Sequence, residues 1–189
     1  MGEKRFSNVV GFDDAPFARD HQGKVKVVGT VYAGLRFDGV LIGAVEKDGF
    51  DAADRLSELL AGSRFNEHIQ LIMLQGIAFG GFNVVDVFAL NERLGLPVLV
   101  VARKLPDMAA IRAALLAHIE QGAAKWRVLE RLGEMERLGQ VYVQRVGLSI
   151  GEAAAVMGQF AMHGNIPEPL RTAHIIAGAL VHGHSKGNA

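Results

Sequence analysis

Ile69-Gln70-Leu71-Ile72-Met73-Leu74-Gln75-Gly76-Ile77-Ala78-Phe79-Gly80-Gly81-Phe82-Asn83-Val84-Val85-Asp86-Val87-Phe88, continuing through Gly95 and Pro97 to Val98-Leu99-Val100-Val101-Ala102, decides the fold. The first apolar run is short and bounded by turn residues, as in a buried strand. Asn83 is placed to cap a helix whose apolar positions Val84, Val87, Phe88 and Leu94 fit a 3.6-residue period. Gly95 ends that helix, and Val98 to Ala102 reads as a second strand buried on both faces. A strand, a helix and a strand of this length form a right-handed βαβ unit with parallel strands. The working surface of such a sheet lies at the carboxyl ends of its strands. Gln75, the glycine-rich loop, Arg103 and Lys104 therefore fall at one edge.

Upstream, Phe6 to Phe12 is a strand that runs into Asp13-Asp14, and Pro16 bars its continuation. Lys24 to Ala33 alternates as a strand, Asp38-Gly39 carries a turn signal, and Val40 to Val45 is a third strand. Short connections imply an antiparallel meander. Asp51 is placed to cap a helix carrying Ala52, Leu56, Leu59 and Leu60, which leaves Asp48 freer for chemistry.

Downstream, Pro106 opens a helix with Asp107 in its first turn. Trp126, Leu129 and Leu132 mark another helix, packed on the sheet, with Trp126 a core residue rather than a platform for stacked bases. Gln140 to Val146 alternates as a late strand, and Ser149-Ile150-Gly151-Glu152 is a capping box. Pro167-Glu168-Pro169 starts a last helix. It carries Arg171, paired with Glu168 on the helix surface, and His174. The His174 ring either satisfies a core hydrogen bond, the preferred reading, or points into a site. The tail from His182 to Ala189 frays.

Composition bounds the function. With 189 residues, 50% of them apolar and 21% charged, the chain suits one packed domain spanning 1–189. Formal charge is zero, so tight general DNA binding at physiological salt is not expected and any basic surface is local. The absence of cysteine excludes disulfides, thiolate metal sites and a cysteine nucleophile. No apolar run approaches the roughly 20 residues of a membrane span. Met1 to Arg5 leads into the first strand without a signal segment. The expectation is a soluble cytoplasmic protein with no membrane partner.

This α/β order, with three antiparallel strands followed by parallel strands and helices on both faces, is that of the ribonuclease H-like fold. Five segments in order resemble the endonuclease dU family, a largely archaeal relative of endonuclease V. They are Gly11-Phe12-Asp13-Asp14-Ala15-Pro16-Phe17, Asp48-Gly49-Phe50-Asp51-Ala52, Gly76 to Asp86, Val100 to Pro106, and Ile166 to His174.

The resemblance implies a metal-dependent endonuclease that hydrolyses phosphodiesters in nucleic acid with deaminated bases, with deoxyuridine in DNA suggested by the family name. It implies Mg2+ or Mn2+ held by Asp13 and Asp48, with Asp14 or Asp51 assisting. A third carboxylate position falls on Gln75. Arg103 and Lys104 would hold the phosphate, and Gly76, Gly80, Gly81 and Asn83 would line the nucleic acid, DNA rather than RNA. Because Gln75 replaces an acid, the alternative is a binding protein of the same fold that has lost the chemistry. A third reading is a nuclease for structured or inosine-containing RNA.

Overall fold

Along Asn8–Asp14 almost every side chain is buried, and the chain is laid out around this strand, β1. The computed structural model describes residues 6–186. The reading of Met1 to Arg5 as leaderless, and the last three residues of the tail, lie outside the described residues. After β1 come β2 (Lys24–Ala33), β3 (Arg36–Glu46), α1 (Ala52–Ala61), β4 (Leu71–Gln75), β5 (Ala78–Phe79), β6 (Asn83–Val84), α2 (Val87–Leu94) and β7 (Val98–Ala102). Then follow α3 (Met108–His118), α4 (Gly122–Leu132), β8 (Glu136–Leu138), β9 (Val141–Val146), α5 (Ile150–Phe160) and α6 (Glu168–His182).

Seven strands form one mixed sheet in the order β3-β2-β1-β4-β7-β9-β8. β1, β2 and β3 are antiparallel neighbours, whereas β1–β4 and β4–β7 are parallel. The meander followed by a parallel centre is as expected. β9 returns antiparallel to β7 and carries a short further strand, β8, that the sequence pattern does not announce. Val10 and Phe12 point to the face covered by Leu56, Leu60 and Leu90 of α1 and α2. Val9, Leu71 and Met73 point to the other, covered by Val156, Phe160 and Leu170 of α5 and α6. Alternation along buried strands thus feeds two apolar layers.

Several local expectations are corrected. The turn after β2 is Gly34-Leu35, not Asp38-Gly39; Gly34 takes a positive φ of 59° there. Asp38 and Gly39 lie in β3, beside a bulge. Asn83 does not cap α2. Asp86 does, its Oδ1 accepting from the N–H groups of Phe88 and Ala89. Val84 belongs to the small β5–β6 hairpin, not to the helix.

Asn83 is fully buried and joins three segments instead. Its Oδ1 accepts from Ala52 N–H at the start of α1, and its Nδ2 donates to Glu46 O and to Asp51 Oδ1. Asp51 stands at the N-cap of α1 but makes no capping bond; its Oδ1 accepts from Glu46 N–H and its Oδ2 from Arg55. Asp107 is the N-cap of α3, accepting from Ala110 N–H, rather than a first-turn residue. α4 packs mainly against α3 and the hairpin, with Val128 and Leu129 beside Val84 and Leu115, and Leu132 near its end packs against the core along the sheet. Trp126 is half-buried at the rim of that cluster.

α6 sets the remaining geometry. A Cβ on Gly11 would lie 2.7 Å from the Pro169 carbonyl carbon, so only glycine lets the start of α6 rest on β1. Thr30 Oγ1 donates to Pro169 O at 2.5 Å, and Tyr32 and Thr172 hydroxyls pair at 2.7 Å. The Glu168–Arg171 pair is not a surface pair. Glu168 is buried, bonds the guanidinium three times, and also meets His163 Nδ1 at 3.0 Å. The tail does not simply fray. Gly183 closes α6 in the left-handed conformation, and Ser185 folds back onto Gly178.

Asn83→Ala strands a helix N–H, a strand carbonyl and part of a carboxylate in the interior. It is expected to lower the unfolding free energy by about 2–4 kcal/mol, measured by urea denaturation. A loss below about 0.5 kcal/mol would show that the three segments hold without it.

Candidate functional site

The chemistry gathers at the carboxyl tip of β1. Alternation sends Asp13 and Asp14 to opposite sides of the strand. Asp13 is 4% exposed, and its Oδ2 lies 2.8 Å from Nδ1 of His174. Its Oδ1 accepts from the backbone N–H of Asp14 at 2.9 Å. His174 does both things the sequence left open: it hydrogen-bonds buried Asp13, and its half-exposed ring lines, with Asp13 and Asp14, an open cleft of about 520 Å³. Pro16, Phe17, His182 and Ser185 complete that cleft.

Asp14 Oδ2 accepts from Gly80 N–H at 2.7 Å. Burial, countered by that bond but reinforced by the neighbouring Asp13 charge, pushes the Asp14 carboxyl up to about 6. The hydrogen bond to Asp13 holds His174 above the usual histidine range, against burial and the opposing charge of Arg103. The tip therefore concentrates negative charge, which the imidazole partly balances.

Asp48 stands on the other side of the hairpin. It adopts a positive φ of 55°, unusual for a non-glycine residue. Three bonds fix it: its N–H donates to Gly80 O at 2.8 Å, its Oδ1 accepts from Phe82 N–H at 2.8 Å, and its carbonyl accepts from Lys125 Nζ at 2.6 Å. Gly80 thus bonds Asp14 through its N–H and Asp48 through its carbonyl. Gly81 has φ 86°, and a Cβ there would collide with the Asp48 carboxylate. Asp13 and Asp48 are not hydrogen-bonded to each other; they connect through Asp14 and Gly80.

Lys125 is a participant that the sequence reading passed over. It is fully buried, and burial pulls its ammonium below the usual lysine range against the pull of Asp48 and Glu120. Its spacing held a signal, since Lys125, Val128, Leu129 and Leu132 fall on one helical stripe.

The other sequence-selected residues do not line the cleft at the β1 tip. Gln75 ends β4 half-buried, and Gly76 follows with φ 82° and open space where a Cβ would stand. Arg103 and Lys104, both exposed, follow β7, and Arg103 borders a smaller cleft with Gln140 and Asn165. Gly80 and Asn83 are buried and Gly81 is exposed. Asp51 is tied to Asn83 and Arg55. Among the described residues, no group of three or more His, Asp or Glu side chains stands close enough to hold a metal ion. No helix among them is long and apolar enough to cross a membrane.

A mixed sheet of this order, with an acidic β1 tip and helices on both faces, is a ribonuclease H-like fold of the endonuclease V type. Human ENDOV superposes with a TM-score of 0.55 at 19% identity, covering 91% of this chain and 83% of that one. An endonuclease V from Ciona intestinalis, solved with a 24mer DNA containing an inosine followed by a ribo-adenosine, gives 0.56 at 14% identity, with 89% and 83% covered. These establish the shared fold. Within it, the chain belongs to the endonuclease dU family, which it matches over residues 5–181. A UPF0215 protein of Deinococcus radiodurans is 54% identical over 183 residues, 97% of this chain and 93% of its own length. The crystal structure of a protein of unknown function from Archaeoglobus fulgidus superposes with a TM-score of 0.86 at 36% identity, covering 93% and 99%.

The Asp14 environment has a thermodynamic consequence. Folding raises this carboxyl from 3.8 to about 6, so the folded state keeps a proton the unfolded chain has released. Stability from this group is full below 3.8 and is lost as pH rises through about 6. The raised His174 acts with the same sign, its contribution fading as pH climbs through its elevated value. Asp14→Asn keeps an acceptor for Gly80 without the charge. It is expected to be more stable than the wild type at alkaline pH by up to about 3 kcal/mol. The advantage should vanish below 3.8. Thermal melts across pH check this, and a pH-independent difference would contradict it.

Proposed function

We propose that this chain is a metal-dependent endonuclease that hydrolyses phosphodiester bonds in DNA containing deaminated bases, deoxyuridine among them. The observation that carries the reading is the pairing of buried Asp13 with half-exposed His174 beside Asp14, at a cleft by the carboxyl tip of β1. Membership in the endonuclease dU family and the endonuclease V fold support it.

The donor set suits a hard cation. Asp13 and Asp14 offer carboxylate oxygens, and burial, with the Asp13 charge adding to it, pushes the Asp14 carboxyl up to about 6. Mg2+ characteristically takes one or two carboxylates and keeps several waters, so two acids suffice without a three-residue cage. Bound there, it would supply an activated water and neutralise charge on the phosphoryl oxygens.

The chain's own groups do the rest. His174 fixes the rotamer of Asp13 and brings positive charge to the cleft wall. Gly80 holds Asp14 at the tip, while Gly80, Phe82 and Lys125 lock Asp48, which the reading assigns to metal binding or water orientation. Arg103 and Lys104, past the end of β7, would pair with the phosphate, guanidinium being suited to bidentate contact. The open space over Gly76 lets a backbone approach. Gln75, a neutral oxygen donor at the β4 tip, limits the site to one tightly held ion.

That same Gln75, with no three-residue ligand cluster among the described residues, favours the second reading, a nucleic-acid-binding protein without catalysis. Nicking of uracil-containing duplex separates the two. With Mg2+ the wild type is expected to nick. EDTA should abolish nicking, and Asp13→Asn should slow it at least about a hundredfold, near the ~3 kcal/mol given by one lost transition-state charge contact. Binding without metal-dependent nicking, on this duplex and on matched inosine-containing RNA, would establish the second reading. Gln75→Asp is expected to raise Mg2+ affinity in calorimetry; no change would place the ion away from Gln75.

A further inference from the structure

The two edges of the sheet are built in opposite ways. β8 closes one edge with only three residues, Glu136, Arg137 and Leu138, two of them charged. Short charged strands of this kind resist pairing with another chain. β3 closes the other edge with eleven residues, and from Val40 to Val45 it holds neither charge nor proline. Its outward side chains are apolar and wet: Phe37 is 47% exposed, Val40 37% and Ile42 49%. They lie on the α6 side of the sheet, since Phe37 stacks near Tyr32 and Val40 sits opposite Thr30. The other side of the strand is covered by Leu59 of α1 against Gly43 and by Phe65, in the turn beyond α1, against Gly39.

The backbone of β3 shows which groups face outward. Lys47 N–H donates toward β2, to Gly23 O. One residue earlier, Glu46 turns its N–H to Asp51 and its carbonyl to Asn83, away from β2. By the two-residue period of a strand, Ala44, Ile42 and Val40 also direct N–H and C=O to the open edge. Among the described residues, the backbone of residues 37–45 makes no hydrogen bond beyond those to β2.

We propose that β3 is the seam of a homodimer, in which two copies pair antiparallel through their β3 edges about a two-fold axis at Leu41. In that register Val40 faces Ile42 of the second copy, and Ile42 faces its Val40. Both residues point their backbone groups outward, so the pairing makes two hydrogen-bonded pairs and joins two seven-stranded sheets. The four side chains come together on one face, covering the exposed apolar row. Charge selects the same arrangement. β3 begins at Arg36 and ends at Glu46. Antiparallel pairing sets each basic end beside an acidic one, whereas parallel pairing opposes like charges. The present partners, Asp38 for Arg36 and Lys24 for Glu46, are exposed pairs that hold them weakly. The proposal stands apart from the nuclease reading, because it uses no cleft residue.

Sedimentation equilibrium of the full chain is expected to give twice the chain mass, and Val40→Lys combined with Ile42→Lys is expected to give the monomer with an unchanged far-UV spectrum. Native-state hydrogen exchange on the wild type provides the second measurement. The Val40 and Ile42 amides are expected to be protected at least about a hundredfold more at high than at low protein concentration. A wild type that stays monomeric at high concentration overturns the proposal. So does a dimer whose Val40 and Ile42 amides exchange rapidly, even if the double variant fails to fold.

Discussion

Gly80 offers one N–H and one carbonyl, and two acidic segments far apart in the sequence depend on them. The N–H holds Asp14 at the end of β1; the carbonyl takes the N–H of Asp48 beyond the end of β3. The residue adopts a left-handed conformation, φ 55°, with Val25 and Val45 packed close by, so backbone freedom and small size are both needed. Around this point the hairpin, β1 and the β3–α1 connection become one unit. Asn83 ties the same hairpin to the start of α1, and Lys125 reaches in from α4 to the Asp48 carbonyl. The acidic tips are therefore held by backbone groups more than by opposing charges.

That manner of holding explains the electrostatics. A carboxylate balanced by an arginine has its proton affinity lowered, whereas one held by a single N–H and otherwise buried keeps a raised affinity. Asp14 is the second kind, and Asp38, beside Arg36, is the first. The contrast within one chain comes first from burial, since Asp14 is withdrawn from water and Asp38 is exposed beside Arg36. Groups perturbed in the way Asp14 is are concentrated where chemistry is done.

Much of this was legible in the sequence, for a physical reason. Apolar runs buried on both faces have few alternatives, so Ile69 to Leu74 and Val98 to Ala102 read directly as parallel strands, which the structure places at Leu71–Gln75 and Val98–Ala102. The capping box at Ser149 uses local bonds that spacing alone reveals. Errors fell where a side chain had two partners to choose from. Asn83 caps a helix thirty-one residues earlier instead of the one that follows, because burial in the hairpin brings Ala52 N–H to it and Asp86 stands better placed for α2. His174 could not be assigned from a helical stripe, because its partner Asp13 is 161 residues away. The acidic residues themselves were visible; their connection through Gly80 rather than directly to each other was not.

The seating of α6 on β1 carries one more consequence. Gly11 touches Pro169, Thr30 bonds the Pro169 carbonyl across 139 positions, and Asp13 meets His174 across a still longer span. Loop-closure entropy makes such distant contacts late ones. During synthesis at the ribosome, the meander emerges and can pair well before the helix that covers it, leaving the face around Val9 and Tyr32 bare in the interval. The cleft is thus among the final features to mature, and an incompletely made chain would carry both acids without the imidazole that steadies one of them.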